Sequence, residues 1–221
     1  MGLRDLIETL PALDLEEACR LQERLADLVR EEDAPGEFDL VAGADAAYDR
    51  AGNVAHAAVA VWDRRLRAVV ALATASVAGA RRYLPGQLAW RELPALLAAF
   101  DRLEVRPDLV LADAHGRAHP RRCGLACTLG LALDLPTAGC AKEPLVGSHS
   151  PLAPTRGSLA PVRDRGEVVG VALRTRARVR PLFVSVGHRI TLERAVGEVL
   201  RLARYRVPEP LRAAHHAAAI G

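Results

Sequence analysis

The sequence predicts an α/β fold: a mixed sheet that opens with a three-stranded antiparallel meander and is flanked by helices. Three observations carry that prediction. Val- and Ala-rich runs at residues 40–48, 54–62 and 67–77 are joined by short turn-like links, which consecutive strands can bridge only as antiparallel hairpins. Beyond residue 85 the pattern changes to helical apolar spacing alternating with short uninterrupted apolar runs. At 221 residues, 50% of them hydrophobic, the chain can bury a full core. No repeat, low-complexity linker or second domain is visible, so one domain over residues 1–221 is expected.

Taken in order, Asp14-Leu-Glu-Glu17 reads as a capping box. Leu15, Ala18, Leu21, Leu25, Leu28 and Val29 then recur at helical spacing to about residue 32, and Pro35-Gly36 ends the helix. The meander follows, with turns at 49–53 and 63–66. Pro85-Gly86 opens a helix to about residue 103, with Leu88, Leu93, Leu96, Leu97 and Phe100 on its apolar face; Pro107 breaks it. Residues 109–112 form a buried strand, 122–133 a helix with small residues Gly124, Ala126 and Gly130, and 136–141 another strand. A polar, Pro-rich loop at 148–157 precedes strands at 168–173 and 182–186 and a helix from Thr191 to about residue 205. The order β-β-β-α-β-α-β is that of the ribonuclease-H-like fold.

Composition narrows the function classes. The formal charge of +3 is mild, so a nucleic-acid partner requires the basic residues to be clustered. Cys19, Cys123, Cys127 and Cys140 contain no CxxC pair and no second pair at zinc spacing, which makes them buried small hydrophobes of a reducing compartment. Arg4, Asp5 and Glu8 interrupt the apolar positions of the first 13 residues, unlike a signal peptide. The longest uncharged run, residues 68–80, is too short to span a bilayer. A soluble, cytoplasmic monomer with no membrane association is expected.

The chemistry gathers around Asp108-Leu-Val-Leu-Ala-Asp113-Ala-His-Gly-Arg-Ala-His119-Pro-Arg121. A buried strand delivers Asp113 to its carboxyl end, and a basic turn suited to phosphate follows; a plain Asx turn has the same local look. Asp45 is a lone charge in an apolar strand, and burying it unpaired would cost several kcal/mol, about the usual penalty for a buried charge. In this topology the first strand and the end of the fourth lie side by side, so Asp45 and Asp113 can share a metal. Oxygen ligands with open positions suit Mg²⁺, which supports phosphodiester hydrolysis. Glu92 and His215, taken alone, read as a solvent-facing helical Glu and a tail histidine. Lys142 is the single lysine beside 29 arginines. Either coding bias left one survivor, or its site needs a compact ammonium that a guanidinium cannot replace.

Together these residues resemble the endonuclease V family, the deoxyinosine 3′ endonucleases. Five blocks carry the resemblance: Gly43-Ala-Asp45-Ala-Ala-Tyr48; Tyr83-Leu-Pro-Gly86 through Glu92; Asp113 through His119-Pro-Arg121; Pro136 through Lys142-Glu-Pro-Leu; and Val184-Ser-Val-Gly-His188-Arg-Ile. Pro208-Glu-Pro210 to His215 agrees as well, so the match spans about residues 40–215. The resemblance implies that Asp45 and Asp113 coordinate Mg²⁺ (Mn²⁺ as substitute), that Glu92 and His215 complete the site, and that Lys142 faces the scissile phosphate or attacking water. It implies a wedge of Tyr83, Leu84 and Pro85 that replaces an extruded base, with Gly86, His119 and Arg121 also on the DNA side. The implied reaction is repair of deaminated adenine: hydrolysis of the second phosphodiester 3′ to deoxyinosine, leaving 3′-hydroxyl and 5′-phosphate ends. Three departures touch wedge rigidity and pocket shape: Arg82 where the wedge usually opens with Pro, Asp113-Ala-His-Gly116 for an Asp-Gly-x-Gly turn, and Thr128 for a histidine. Two other readings compete, a ribonuclease for inosine in RNA and a non-catalytic binder of distorted DNA. The intact set Asp45, Glu92 and Asp113 speaks against the binder.

Overall fold

Nine residues from Leu40 to Tyr48 form β1, the strand around which the sheet is laid out. The computed structural model describes residues 3–9, 12–49, 51, 53–79, 84 and 86–219. β1 pairs antiparallel with β2 (Val54–Asp63), which pairs antiparallel with β3 (Ala68–Ala78), giving the expected meander. On its other side β1 runs parallel to β4 (Leu109–Ala112), and β4 runs parallel to β5 (Thr137–Ala141). With β6 (Leu159–Asp164), β7 (Glu167–Leu173) and β8 (Leu182–His188) the sheet has eight strands in the order β3-β2-β1-β4-β5-β8-β7-β6. The 3-2-1-4-5 half, antiparallel then parallel, is the ribonuclease-H-like arrangement. β4 is buried at all four positions, as its unbroken apolar run demands of a parallel strand covered on both faces.

Helices α1 (Leu3–Glu8), α2 (Leu15–Ala26), α3 (Leu88–Phe100), α4 (Leu125–Leu133), α5 (Leu192–Leu202) and α6 (Glu209–Ala218) flank the sheet. The two-residue alternation of β1 divides its side chains between two cores. Ala42 and Ala44 join the apolar side chains of α2, α3 and α4. Val41 points the other way, into the core of Leu109, Leu111, Val184 and α5 that Leu211 of α6 completes. Gly43 shares that second face, where α6 lies flush on the strand: a Cβ there would meet the Pro210 carbonyl carbon at 2.2 Å.

The helix boundaries differ in places from the sequence expectation, each for a local reason. The Asp14–Glu17 capping box is present, but α2 stops at Ala26 instead of near residue 32, because the residues beyond bond to Arg189, just past β8. There the Arg30 carbonyl accepts the Arg189 N–H at 2.7 Å. α4 starts at Leu125, after Arg122, which adopts a left-handed φ of 54° and pairs with Asp164 and Glu167. α5 ends at Leu202 rather than near residue 205. Three elements went unpredicted: α1, β6 and α6. Pro161 hid β6, since proline fits only an edge strand, and β6 is one. In α6, Pro210 sits in the first turn, where no backbone N–H is needed.

All four cysteines are free; Cys123, Cys127 and Cys140 are buried and Cys19 is half-buried. Among the described residues no helix is long and apolar enough to cross a membrane.

Candidate metal centre and adjoining cavity

The parallel register of β1 and β4 makes Ala44 and Ala112 partners, and the Asp113 N–H donates to the Ala44 carbonyl at 3.0 Å. The next residue of each strand is a carboxylate, so Asp45 and Asp113 emerge side by side. By the alternation of β1, Asp45 shares Gly43's face, the one covered by α6. Its Oδ2 lies 2.7 Å from His215 Nδ1, and its Oδ1 accepts the Ala46 N–H at 2.9 Å. Asp113 Oδ2 is ion-paired with the Lys142 ammonium, which follows the last residue of β5. Arg206 steadies that turn by donating to the carbonyls of Lys142 and Pro181. One ligand atom each from Asp45, Asp113 and His215 lies within 4.8 Å of the others.

Glu92 approaches from the other face of the sheet, on α3. It is 6% exposed, and its Oε1 accepts the Tyr48 hydroxyl at 3.0 Å. Burial raises its carboxyl to about 8; the Tyr48 hydrogen bond opposes that rise, and the charges of Asp45 and Asp113 add to it. Asp45 is raised too, by burial first and Asp113 second, against the pull of His215 and Lys142. Three crowded carboxylates and an imidazole at one sheet end make an oxygen-rich donor set that fits a hard divalent cation.

A cavity of about 180 Å³ adjoins this site, lined by Gly86, Leu88, His115, His119, Leu125 and Pro144 among others. It shares the turn after Asp113 and the turn after Lys142 with the carboxylates. Gly86 has a left-handed φ of 78°, which glycine adopts without strain. Its carbonyl accepts His119 Nε2–H at 2.9 Å and Arg121 Nη2–H at 2.5 Å. His119 Nδ1 in turn accepts the Arg121 N–H at 3.2 Å. Both ring nitrogens are thus engaged inside the protein, the neutral tautomer carries its proton on Nε2, and the ring is 3% exposed.

That environment has a consequence for acid stability. Burial lowers the His119 pKa to about 4, from 6.5 in the unfolded chain. Between those values the unfolded state binds the proton and the folded state does not. The contribution is therefore present above pH 6.5 and lost as pH falls towards 4, about 2 kcal/mol of it by pH 5. Urea unfolding at pH 7 and pH 5 should show His119→Gln losing less stability on acidification than the wild type. Equal losses would mean His119 does not titrate in this window.

The family model of endonuclease V matches residues 23–216. The chain belongs to the endonuclease V family. Endonuclease V of Roseiflexus castenholzii is 49% identical over 215 residues, covering 95% of this chain and 94% of that one. The crystal structure of endonuclease V from Streptomyces avermitilis superposes with a TM-score of 0.88 at 43% identity, over 94% of this chain and 92% of that one. Endonuclease V of Ciona intestinalis, in complex with a 24mer DNA containing an inosine followed by a ribo-adenosine, shares the fold with a TM-score of 0.81. It is 24% identical over 93% of this chain and 96% of that one. As a member of the endonuclease V family the chain is a nuclease, and the family's metal dependence agrees with the donor set at Asp45, Asp113 and His215.

Of the residues singled out in the sequence, the fold brings Asp45, Asp113, His215 and Lys142 together, with Glu92 reaching the same sheet end. Gly86, His119 and Arg121 interlock at the cavity. Leu84 is 43% exposed; Tyr83, Pro85 and Arg82 lie outside the described residues. Thr128 turns its hydroxyl back to the Leu125 carbonyl at 2.9 Å. Four contributors have no role assigned from the sequence: Tyr48, Arg206, Gln22 and His115. Gln22 left a signal, a polar side chain on the buried stripe of Ala18, Leu21 and Leu25; it accepts from Arg121 Nε at 2.9 Å and donates to the Cys123 carbonyl at 3.0 Å. His115 lines the cavity with a buried Nδ1 that has no hydrogen-bond partner, and burial holds the ring neutral, with a pKa of about 4.

Proposed function

We propose that this member of the family is a Mg²⁺-dependent DNA repair nuclease, with Mn²⁺ as a substitute. It recognises deoxyinosine and hydrolyses the second phosphodiester 3′ to it, leaving 3′-hydroxyl and 5′-phosphate ends. The observation that carries the reading is the carboxylate–imidazole cluster beside a partly open cavity walled by a glycine turn. Asp45, Asp113 and His215 would hold the ion, with Glu92 directly or through water. When bound, a divalent cation supplies charge neutralisation at the phosphate and a more acidic water. Lys142, paired with Asp113, brings a point charge to the phosphate or the attacking water. Hypoxanthine offers an N1–H donor and an O6 acceptor, for backbone groups of the turns around the cavity to match.

Extruding the base costs a few kcal/mol and is cheapest where pairing is already weak. Tyr83, with Leu84 and Pro85, offsets that cost by stacking into the gap, and His119 and Arg121 serve by fixing the Gly86 turn beside it. The Ciona complex supports this reading to the extent that the shared fold accommodates inosine-containing DNA. The test is cleavage of oligonucleotides with one labelled inosine, as DNA duplex or as RNA, in Mg²⁺ or EDTA. Cutting of the inosine duplex in Mg²⁺ alone is expected, with an adenine control intact. Preference for the RNA would make the enzyme a ribonuclease; failure on both, or equal cutting of the control, would overturn the proposal.

A further inference from the structure

Tyr48 ends β1, and its side chain faces α3, the face opposite to that of Asp45. Its hydroxyl donates to Glu92 Oε1 at 3.0 Å, and the Arg91 guanidinium lies over its ring, 3.5 Å from the centroid. The strand that carries Asp45 is thereby tied to the helix that carries Glu92. A glutamate swings about three side-chain bonds, so a buried Glu reaching a site from another layer needs an anchor to keep one geometry. The stacked guanidinium restrains the ring, and the ring directs the hydroxyl.

We propose that Tyr48 is a positioning residue: by holding one carboxylate oxygen of Glu92, it presents the other to the divalent ion. The idea rests on the reading of Glu92 as part of the metal site. A neutral donor on one oxygen with the ion on the other is the usual way outer residues orient a metal-binding carboxylate, and their loss costs on the order of 10–100-fold in metal affinity or activity. Tyr48→Phe removes only the hydroxyl and keeps the ring beneath Arg91.

The test compares wild type, Tyr48→Phe and Glu92→Gln, all as the whole protein. Mn²⁺ binding is read from the electron paramagnetic resonance signal of the free ion, inosine-duplex affinity from anisotropy in EDTA, and stability from thermal melts in EDTA. Tyr48→Phe is expected to weaken Mn²⁺ binding about tenfold, the low end of that range. The Mg²⁺ needed for half-maximal cleavage should rise by the same factor, with DNA affinity and melting unchanged. If Tyr48→Phe binds Mn²⁺ like the wild type while Glu92→Gln binds it more weakly, the positioning role is overturned and Glu92 stands. If Glu92→Gln also binds normally, Glu92 is no part of the metal site and the role of Tyr48 falls with it. A lower melting point without loss of Mn²⁺ affinity would leave Tyr48 a structural residue and overturn the proposal as well.

Discussion

Asp113→Ala is expected to lose cleavage of an inosine duplex by roughly a thousandfold, the effect of removing several kcal/mol of ion-mediated charge stabilisation. The fold should survive. Asp113 raises the Asp45 carboxyl and helps raise that of Glu92, so deleting it relieves repulsion between buried charges. Its partner Lys142 has a side chain 41% exposed and is left solvated rather than stranded. Melting in EDTA should therefore stay near that of the wild type, and duplex affinity in EDTA should hold. Single-turnover cleavage decides the matter: a rate within tenfold of wild type would remove Asp113 from the metal centre.

Lys142→Arg is the second large effect, about a hundredfold in turnover. The chain uses arginine at 29 positions, so the change is tolerated in general. At this one the ammonium meets Asp113 at the end of β5, and the Arg206 guanidinium holds the Lys142 carbonyl. That hydrogen bond restrains the backbone from shifting to suit a wider planar head. Displacing the charge by an ångström costs on the order of a hundredfold in rate. Duplex affinity and melting should change little. Equal single-turnover rates for the two proteins would reduce the lone lysine to a codon accident.

The legible part of the site was the part written as anomalies. Asp45 stood out as a charge in an apolar strand, Lys142 as a lysine in an arginine-only chain, and the meander as short links between Val-rich runs. Glu92 and His215 were unreadable by themselves, because a helical glutamate and a distant histidine gain meaning only from packing: α3 on one side of the sheet, α6 on the other. The resemblance named both ahead of the structure. The roles of Tyr48 and Arg206 stayed unread because both act through contacts to residues far along the chain, which no local pattern encodes. His119 was read as a DNA-side residue, yet its ring is turned inward against Gly86 and Arg121. A residue's presence in a motif says less about its direction than its burial does.

Gly43 leaves room for α6, and α6 follows every strand in the chain. During synthesis the amino-terminal parts emerge and fold first. A growing polypeptide can therefore pair all eight strands while the imidazole that faces Asp45 is still inside the ribosome. The strand face around Gly43 and Asp45 then stays bare until α6 docks. The imidazole is thus the last member of the cluster to arrive, added to a sheet that already holds both aspartates.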